Sequence, residues 1–180
     1  MKNILVISTS IRTGRRSHGV ARYLTDLIQR DKLGQAKLLD LKELNLPMME
    51  ERLKFLQNPP ASALAFSESV TAADAVILVC PEYNSSLPAS AKNAIDLLNS
   101  EWQGKPVAAA CVSAGGFGAR MVWADLCKIM VTMGAHFSSN ALAIANVQNH
   151  YSEAGLTDPD SKRHDERATA FVQSLLKLCQ

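Results

Sequence analysis

The chain has 180 residues, of which 47% are hydrophobic and 20% charged, with a formal net charge of +2 and a mean hydropathy of -0.01. These values predict one globular domain over 1–180 that folds without disulfides or a metal ion, and they exclude a disordered chain. The basic residues form no long stripe and the first apolar run is too short for a signal peptide, so we expect a cytoplasmic protein with no nucleic-acid or membrane partner.

The first half of the chain alternates strand and helix patterns. A run rich in β-branched residues predicts a strand over 2–8, and apolar residues at helical spacing predict a helix over 19–31. A second strand at 36–41 precedes a loop that ends at Pro59-Pro60. A helix over 62–73 leads to a continuous apolar run at 75–80, which is typical of a strand buried on both faces of a parallel sheet.

The second half continues the alternation. Pro88 opens a helix over 88–100, and further patterns predict a strand at 107–112, a helix at 119–133, a weaker strand at 137–144, a polar loop at 146–159 and a helix at 161–178. Five strands alternating with helices predict an α/β fold with a parallel sheet, right-handed crossovers and helices on both faces. Ligands of such sheets bind at the carboxyl ends of the strands.

The loop at 9–17 joins the first strand to the first helix and contains hydroxyls, Gly14 and the guanidinium groups of Arg12, Arg15 and Arg16. Amides at a helix start favour an anion and arginine binds phosphate oxygens well, so this loop predicts a phosphate site. In the alternative interpretation Ser17 merely caps the helix and the arginines are solvated. No Walker sequence is present, which disfavours a nucleoside triphosphate with magnesium.

Two further loops follow the third and fourth strands. The loop at 81–88 contains an aromatic residue, an amide and two prolines, which suits a planar ligand with a polar edge, although a tight surface turn is the alternative. The loop at 113–118 contains three glycines that let the backbone approach a ligand closely. Its glycine order is not that of a dinucleotide-binding fingerprint.

The cysteines and histidines predict neither a redox pair nor a metal centre. The four cysteines lie far apart without a C-x-x-C pair and are expected to be reduced and mostly buried. His18, His136, His150 and His164 share no spacing typical of metal ligands, so no metal site is predicted.

The segment Pro81-Glu82-Tyr83-Asn84-Ser85-Ser86-Leu87-Pro88, followed by Lys92-Asn93-Ala94-Ile95-Asp96, resembles the P-E-Y-N-x-S-x-P-x-x-L-K-N-A-I-D signature of the NADPH-dependent FMN reductase family. Ser10-Ile11-Arg12 is similar to the family's G-S-x-R phosphate loop, and Ser113-Ala114-Gly115-Gly116 to its third flavin loop. The likeness extends from about residue 4 to 135. It implies a flavodoxin-like three-layer sandwich whose five-stranded parallel sheet has the order 2-1-3-4-5.

The resemblance also implies which residues bind FMN. It assigns Ser10, Arg12 and Ser17 to the phosphate, with Arg16 and His18 as neighbours; Pro81, Glu82, Tyr83 and Asn84 to the isoalloxazine ring; and Ser113, Ala114, Gly115 and Gly116 to the other edge of the ring. The sequence departs from the family pattern at two positions. Thr9 replaces a glycine, which we expect to tighten the phosphate turn, and Ala91 replaces a leucine, which we expect to alter helix packing.

The function implied by this resemblance is a ping-pong oxidoreductase with FMN as cofactor and NADPH or NADH as co-substrate. Family members include azoreductases, quinone reductases and chromate reductases, so the expected acceptor is a quinone, azo dye, free flavin or metal oxyanion. No protein acid or base is expected to be catalytic, because the flavin carries the chemistry. A homodimer or homotetramer is implied.

Two other functions stay open from the sequence. One is a non-enzymatic FMN-binding electron carrier or regulatory module, although such carriers are often strongly acidic and this chain has a pI of about 8.4. The other is a domain that binds a phosphosugar or nucleotide without flavin.

Overall fold

Strands and helices alternate along the computed structural model, which describes residues 1–158 and 161–179. The strands are β1 Asn3–Ser8, β2 Gln35–Asp40, β3 Ala75–Pro81, β4 Pro106–Val112, β5 His136–Phe137, β6 Leu142–Ile144, β7 Tyr151–Ser152 and β8 Gly155–Leu156. The helices are α1 Arg16–Arg30, α2 Leu41–Leu44, α3 Ala61–Ala72, α4 Ala89–Leu97, α5 Arg120–Thr132 and α6 Ser161–Leu176. Short 3₁₀ turns lie at Leu53–Phe55, Ser100–Trp102, Val147–Asn149 and Lys177–Cys179.

The main sheet is parallel and its strand order is β2-β1-β3-β4-β5, which confirms the predicted flavodoxin-like order. The predicted fifth strand is split in two. β5 pairs with the start of β4 and β6 pairs with its end. The interruption falls at Ser138, whose hydroxyl accepts a hydrogen bond from the Asn140 amide at 3.2 Å and so closes a local polar turn.

The two faces of the sheet carry separate halves of the core. On one face Leu78 packs with Phe66, Trp102 and residues of α3, α4 and α5. On the other face Ile77 packs with Leu24 and residues of α1 and α6. Every residue of β3 and β4 is buried, because alternate side chains of a central parallel strand enter opposite layers.

A small antiparallel hairpin, β7–β8, lies within the segment predicted to be a polar loop at 146–159. It packs directly on the backbone of α1: a Cβ added to Gly19 would lie only 1.8 Å from the carbonyl oxygen of Ser152. Pro159, the last residue of the predicted loop, lies outside the described residues. Among the helices of the described segments, none is long and apolar enough to cross a membrane.

Candidate functional site

Three loops at the carboxyl ends of β1, β3 and β4 enclose a cavity of about 240 Å³. The predicted site residues that line it are Arg12, Arg16, Ser17, Pro81, Glu82, Tyr83, Ser113 and Ala114. Gly14, Arg15, Val112, Val147 and Gln148 also line it, although none of these was assigned to the site from the sequence. Parallel strands end at the same edge of the sheet, so the fold brings together loops that are far apart in the chain.

The β1–α1 loop has a buried inner layer centred on Arg15. The Arg15 guanidinium donates to the carbonyl oxygen of Ser10 at 2.7 Å and to both carboxylate oxygens of Asp40, one of them at 2.6 Å. A fourth hydrogen bond joins Arg15 Nε to Glu153 Oε1 at 3.1 Å and so ties the loop to the β7–β8 hairpin. The Arg15 and Asp40 side chains are only 5% and 4% exposed. The alternative of solvated arginines is therefore wrong for Arg15.

Burial and hydrogen bonds in this inner layer shift the pKa values of Arg15, Asp40 and His18. The hydrogen bonds that Arg15 donates to Asp40 raise the pKa of Arg15 despite its burial. Burial opposes ionisation of Asp40, but hydrogen bonds from Arg15 and from the Lys42 amide outweigh it and lower the pKa of that carboxyl. Burial lowers the pKa of His18, whose Nδ1 lies 3.1 Å from the Ser8 hydroxyl. His18 thus lies in the inner layer rather than at the cavity wall.

The outer layer of the same loop presents positive charge to the cavity. Arg12 and Arg16 are exposed, and no carboxylate of residues 1–158 or 161–179 forms an ion pair with either. Helix α1 begins here without a side-chain cap and without an acidic residue in its first turn. The first amides of a helix have no partner within the helix and carry partial positive charge. Arg15, not Ser17, occupies the cap position, so the alternative interpretation in which Ser17 caps the helix is wrong.

The loop after β3 is a tight turn joined to the β1–α1 loop. The Tyr83 and Ser86 backbones exchange hydrogen bonds of 2.9 and 3.1 Å around Asn84 and Ser85, both of which have positive φ. The Tyr83 hydroxyl lies 2.7 Å from Ser10 Oγ. Asn84 is exposed at the tip of the turn and does not line the cavity.

The loop after β4 leaves open surface where two glycines lie. A Cβ added to Gly115 or Gly116 would meet no atom within 4 Å, and neither residue has the positive φ that favours glycine. Neither the packing nor the backbone conformation of the chain requires glycine at these two positions. The side chain of Gln148 closes the far end of the loop by donating to the Ala114 carbonyl at 3.2 Å.

Two residues beside the loops point away from the cavity. Thr9 Oγ1 donates to the Val79 carbonyl at 3.0 Å, so its side chain ties the loop to β3. Cys80 is fully buried, and burial raises the pKa of its thiol to about 12. The Cys80 thiol is therefore protonated at neutral pH and does not reach the cavity surface.

Comparisons with known proteins identify a family and relatives that this chain resembles. The sequence model of a family described as NADPH-dependent FMN reductase matches residues 2–149, beyond residue 135 where the likeness was expected to end. A quinone reductase of Pseudomonas putida is 34% identical over 125 residues, which cover 65% of this chain and 64% of the relative, so the matched region spans slightly less than two thirds of that protein. An NAD(P)H-dependent FMN reductase of Pseudomonas aeruginosa is 29% identical over 182 residues, covering 98% of this chain and 92% of the relative.

A solved structure is similar over almost the entire length of the chain. The flavoenzyme FerB, an NAD(P)H:(acceptor) oxidoreductase from Paracoccus denitrificans, superposes with a TM-score of 0.77 at 25% identity. The superposition covers 98% of both chains.

Proposed function

The chain belongs to the NADPH-dependent FMN reductase family, and we propose that it transfers electrons from NADPH to a small-molecule acceptor in a ping-pong cycle. When bound, FMN would supply the redox chemistry that links hydride removal from the nicotinamide to reduction of a quinone, azo compound, free flavin or metal oxyanion. The protein provides binding and orientation, and we propose no catalytic acid or base.

The observation that carries the proposal is the unneutralised positive charge at one end of the cavity. Arg12 and Arg16 have no carboxylate partner among the described residues, and the uncapped start of α1 lies beside them. A phosphate monoester fits such a donor set, because guanidinium groups and helix amides both bind phosphate oxygens. We propose that Arg12, Arg16 and Ser17 contact the FMN phosphate.

Ser10 and His18 lie beneath the residues that line the proposed phosphate end of the cavity and do not line it themselves. Ser10 is fully buried, and its hydroxyl already contacts Tyr83 and the Arg12 amide. His18 is held against Ser8 and Asp40. We therefore propose that these two residues shape the loop, and that Arg12, Arg16 and Ser17 provide its direct phosphate contacts.

The other end of the cavity fits a flat ring. Pro81, Glu82 and Tyr83 form one wall, and Ser113 and Ala114 form the other. Beyond Ala114 the missing Cβ atoms of the two glycines leave room that no protein atom fills, which suits the edge of an isoalloxazine ring. Asn84 lies at the tip of the adjacent turn, where it is proposed to border the ring.

The size of the cavity supports exchange of substrates on one exposed face of the flavin. Its volume of about 240 Å³ lies below the roughly 300–1,000 Å³ typical of pockets that enclose a small ligand. A groove of this size would hold the phosphate and the ring edges of FMN and would leave one face of the ring exposed to solvent. NADPH, or NADH, and then the acceptor would stack on that surface in turn.

Other parts of the proposal concern the whole protein. We propose a single catalytic domain that acts in the cytoplasm as a homodimer or homotetramer. Phe117 and Met121, which are 89% and 54% exposed beside the third loop, support a subunit contact near the cavity.

An absorbance experiment tests the proposed reaction. The purified protein is mixed with FMN, freed of unbound flavin, and recorded before and after anaerobic addition of NADPH. We expect a retained flavin spectrum that bleaches with NADPH and recovers when a quinone is added. Retained flavin without bleaching would contradict the enzymatic proposal and favour an electron carrier, and no retained flavin would contradict the cofactor site itself.

A further inference from the structure

Two histidines and an aspartate converge at the base of the β7–β8 hairpin. His150 precedes β7, Asp158 follows β8, and His164 lies in the first turns of α6. The ligand atoms that these three residues offer lie within 4.8 Å of one another. None of the three lines the cavity of the proposed flavin site.

The contacts converge on a single carboxylate oxygen. His164 Nε2 lies 3.0 Å from Asp158 Oδ2, and His150 Nδ1 contacts the same oxygen. Donors that bind one tetrahedral zinc ion at about 2.0 Å lie about 3.3 Å apart. The three atoms therefore need only small shifts to surround an ion in place of the hydrogen bonds that they share.

Neighbouring residues hold the ligands in orientation. His164 Nδ1 lies 3.4 Å from the Tyr151 hydroxyl, and the two rings are perpendicular with centroids 5.7 Å apart. Tyr151 is fully buried and packs edge-on against Tyr23. A histidine that binds metal through one nitrogen usually has its other nitrogen hydrogen-bonded, and a hydroxyl can partner either tautomer.

We propose that His150, Asp158 and His164 bind one zinc ion, with the fourth position open to water. Two imidazoles and one carboxylate are ligands that zinc accepts, whereas magnesium and calcium require more oxygen ligands. The Asp158 and His164 side chains are 16% and 13% exposed, while His150 is 34% exposed. Two ligands are thus fixed in the protein and the third faces the solvent from which the ion enters.

The proposed ion would join three segments of the chain. It would link the start of the hairpin, the end of the hairpin and α6. The two ends of the hairpin are already joined by a hydrogen bond from the Thr157 amide to the His150 carbonyl at 2.7 Å. The same hairpin holds Glu153 against Arg15. Zinc therefore stabilises the segment that braces the β1–α1 loop.

Zinc binding is tested on untagged, chelator-treated, flavin-free protein by isothermal titration with Zn²⁺ and with Mg²⁺. We expect one zinc per chain, a higher melting temperature, slower amide hydrogen exchange over 150–157, and no response to Mg²⁺. His150→Ala and His164→Gln should each weaken zinc binding more than about 100-fold, since even loss of an outer partner of a zinc ligand costs 10–100-fold. His136→Ala, which removes an exposed histidine outside the cluster, should bind zinc like the unmodified chain.

Cobalt separates this site from adventitious binding by cysteine. Co²⁺ at the cluster should give ligand-field absorption without the charge-transfer band of a thiolate ligand. Zinc bound below one equivalent per chain, a thiolate band, or a zinc affinity of the cluster variants equal to that of the unmodified chain would overturn the proposal. Circular dichroism of the metal-free variants checks that they are folded, and His150→Ala, which alters the most exposed ligand, keeps the test valid should His164→Gln unfold.

Discussion

The β1–α1 loop places the same residue type in two opposite environments. Arg15 in the inner layer is buried and hydrogen-bonded to Asp40, Glu153 and the Ser10 carbonyl. Arg12 in the outer layer is exposed, and its guanidinium lies 6.0 Å from the centre of the Tyr83 ring without a carboxylate partner among the described residues. The carboxylate of Asp40 therefore determines that Arg15 stabilises the loop and that Arg12 stays available to bind a ligand.

The largest expected effect is on the free energy of unfolding, which should depend on the inner layer of the β1–α1 loop and not on its outer layer. Arg15→Met leaves the buried carboxylate of Asp40 without its cation, and loss of one partner of a buried pair costs about 3–5 kcal/mol. We expect the free energy of unfolding to fall by about that amount in urea denaturation monitored by circular dichroism. Arg16→Met, in the outer layer, should change it by less than about 0.5 kcal/mol.

A double variant tests the reason for that loss. Arg15→Met combined with Asp40→Leu removes both buried charges, so it should recover much of the stability that Arg15→Met loses. If Arg15→Met were within about 1 kcal/mol of the unmodified chain, the inner layer would not be the anchor of the loop.

The second effect is on FMN affinity, which should depend on the outer layer of the loop. Arg12→Ala removes a charged donor proposed to bind phosphate, which is worth about 1.5–3 kcal/mol and corresponds to roughly 10- to 100-fold weaker FMN binding. Fluorescence quenching of FMN during titration measures the dissociation constant. Arg22→Ala, which removes an exposed arginine further along α1, is the matched control and should leave the affinity unchanged. Equal affinities in the two variants would remove Arg12 from the phosphate site.

A smaller effect is expected at the open surface of the loop after β4, where Gly116 lies beyond the residues that line the cavity. Gly116→Ala adds a Cβ that meets no protein atom, so its unfolding free energy should stay within about 1 kcal/mol of the original. FMN binding should weaken by roughly tenfold if the ring edge lies there, equivalent to about 1.4 kcal/mol. Gly118→Ala is the contrasting control, because Gly118 has φ +69° and the new Cβ would lie 3.1 Å from Ala143. That variant should lose stability instead.

Much of the fold could be predicted because the central strands are unambiguous. The apolar runs that form β3 and β4 leave no polar face, so a parallel sheet covered on both sides was the only economical interpretation. The split between β5 and β6 could not be predicted, since it depends on a local turn at Ser138 within an otherwise strand-like segment. The β7–β8 hairpin has only two residues in each strand and depends on its contact with Gly19, so its sequence resembles a loop.

The candidate site was predictable where one contiguous motif defines a loop, as at Pro81, Glu82 and Tyr83. The different roles of Arg15 and the two exposed arginines could not be predicted, because the partners of Arg15 lie 25 and 138 residues away in the chain. Val147 and Gln148 reach the cavity from a 3₁₀ turn whose composition indicates no ligand. Spacing likewise concealed the histidine pair at 150 and 164, which only the fold of the hairpin brings together.

The smallest predicted effect is the change of the unfolding free energy with pH, which should distinguish His18 from Asp40 within the inner layer. Burial lowers the pKa of His18 from its usual 6.5, so the stability that neutral His18 provides is complete above pH 6.5 and is lost as the pH falls below it. The groups around His18 are Asp40, Arg15, Arg22 and Glu153. The pKa of Asp40 is held below its usual 3.8, so its contribution is lost only in more acidic solution. Acidification should therefore reduce the unfolding free energy in two steps, each with a slope of at most about 1.4 kcal/mol per pH unit for one proton.

Urea denaturation of the flavin-free protein between pH 7 and 3 resolves the two steps. His18→Asn should flatten the step just below pH 6.5 while leaving the acidic one, because asparagine does not titrate and Asp40 keeps its bond to Arg15. His136→Ala, at an exposed position, should retain both steps. An unchanged upper step in His18→Asn would mean that another histidine causes it, and the inner layer would then owe its pH sensitivity to the Arg15–Asp40 pair alone.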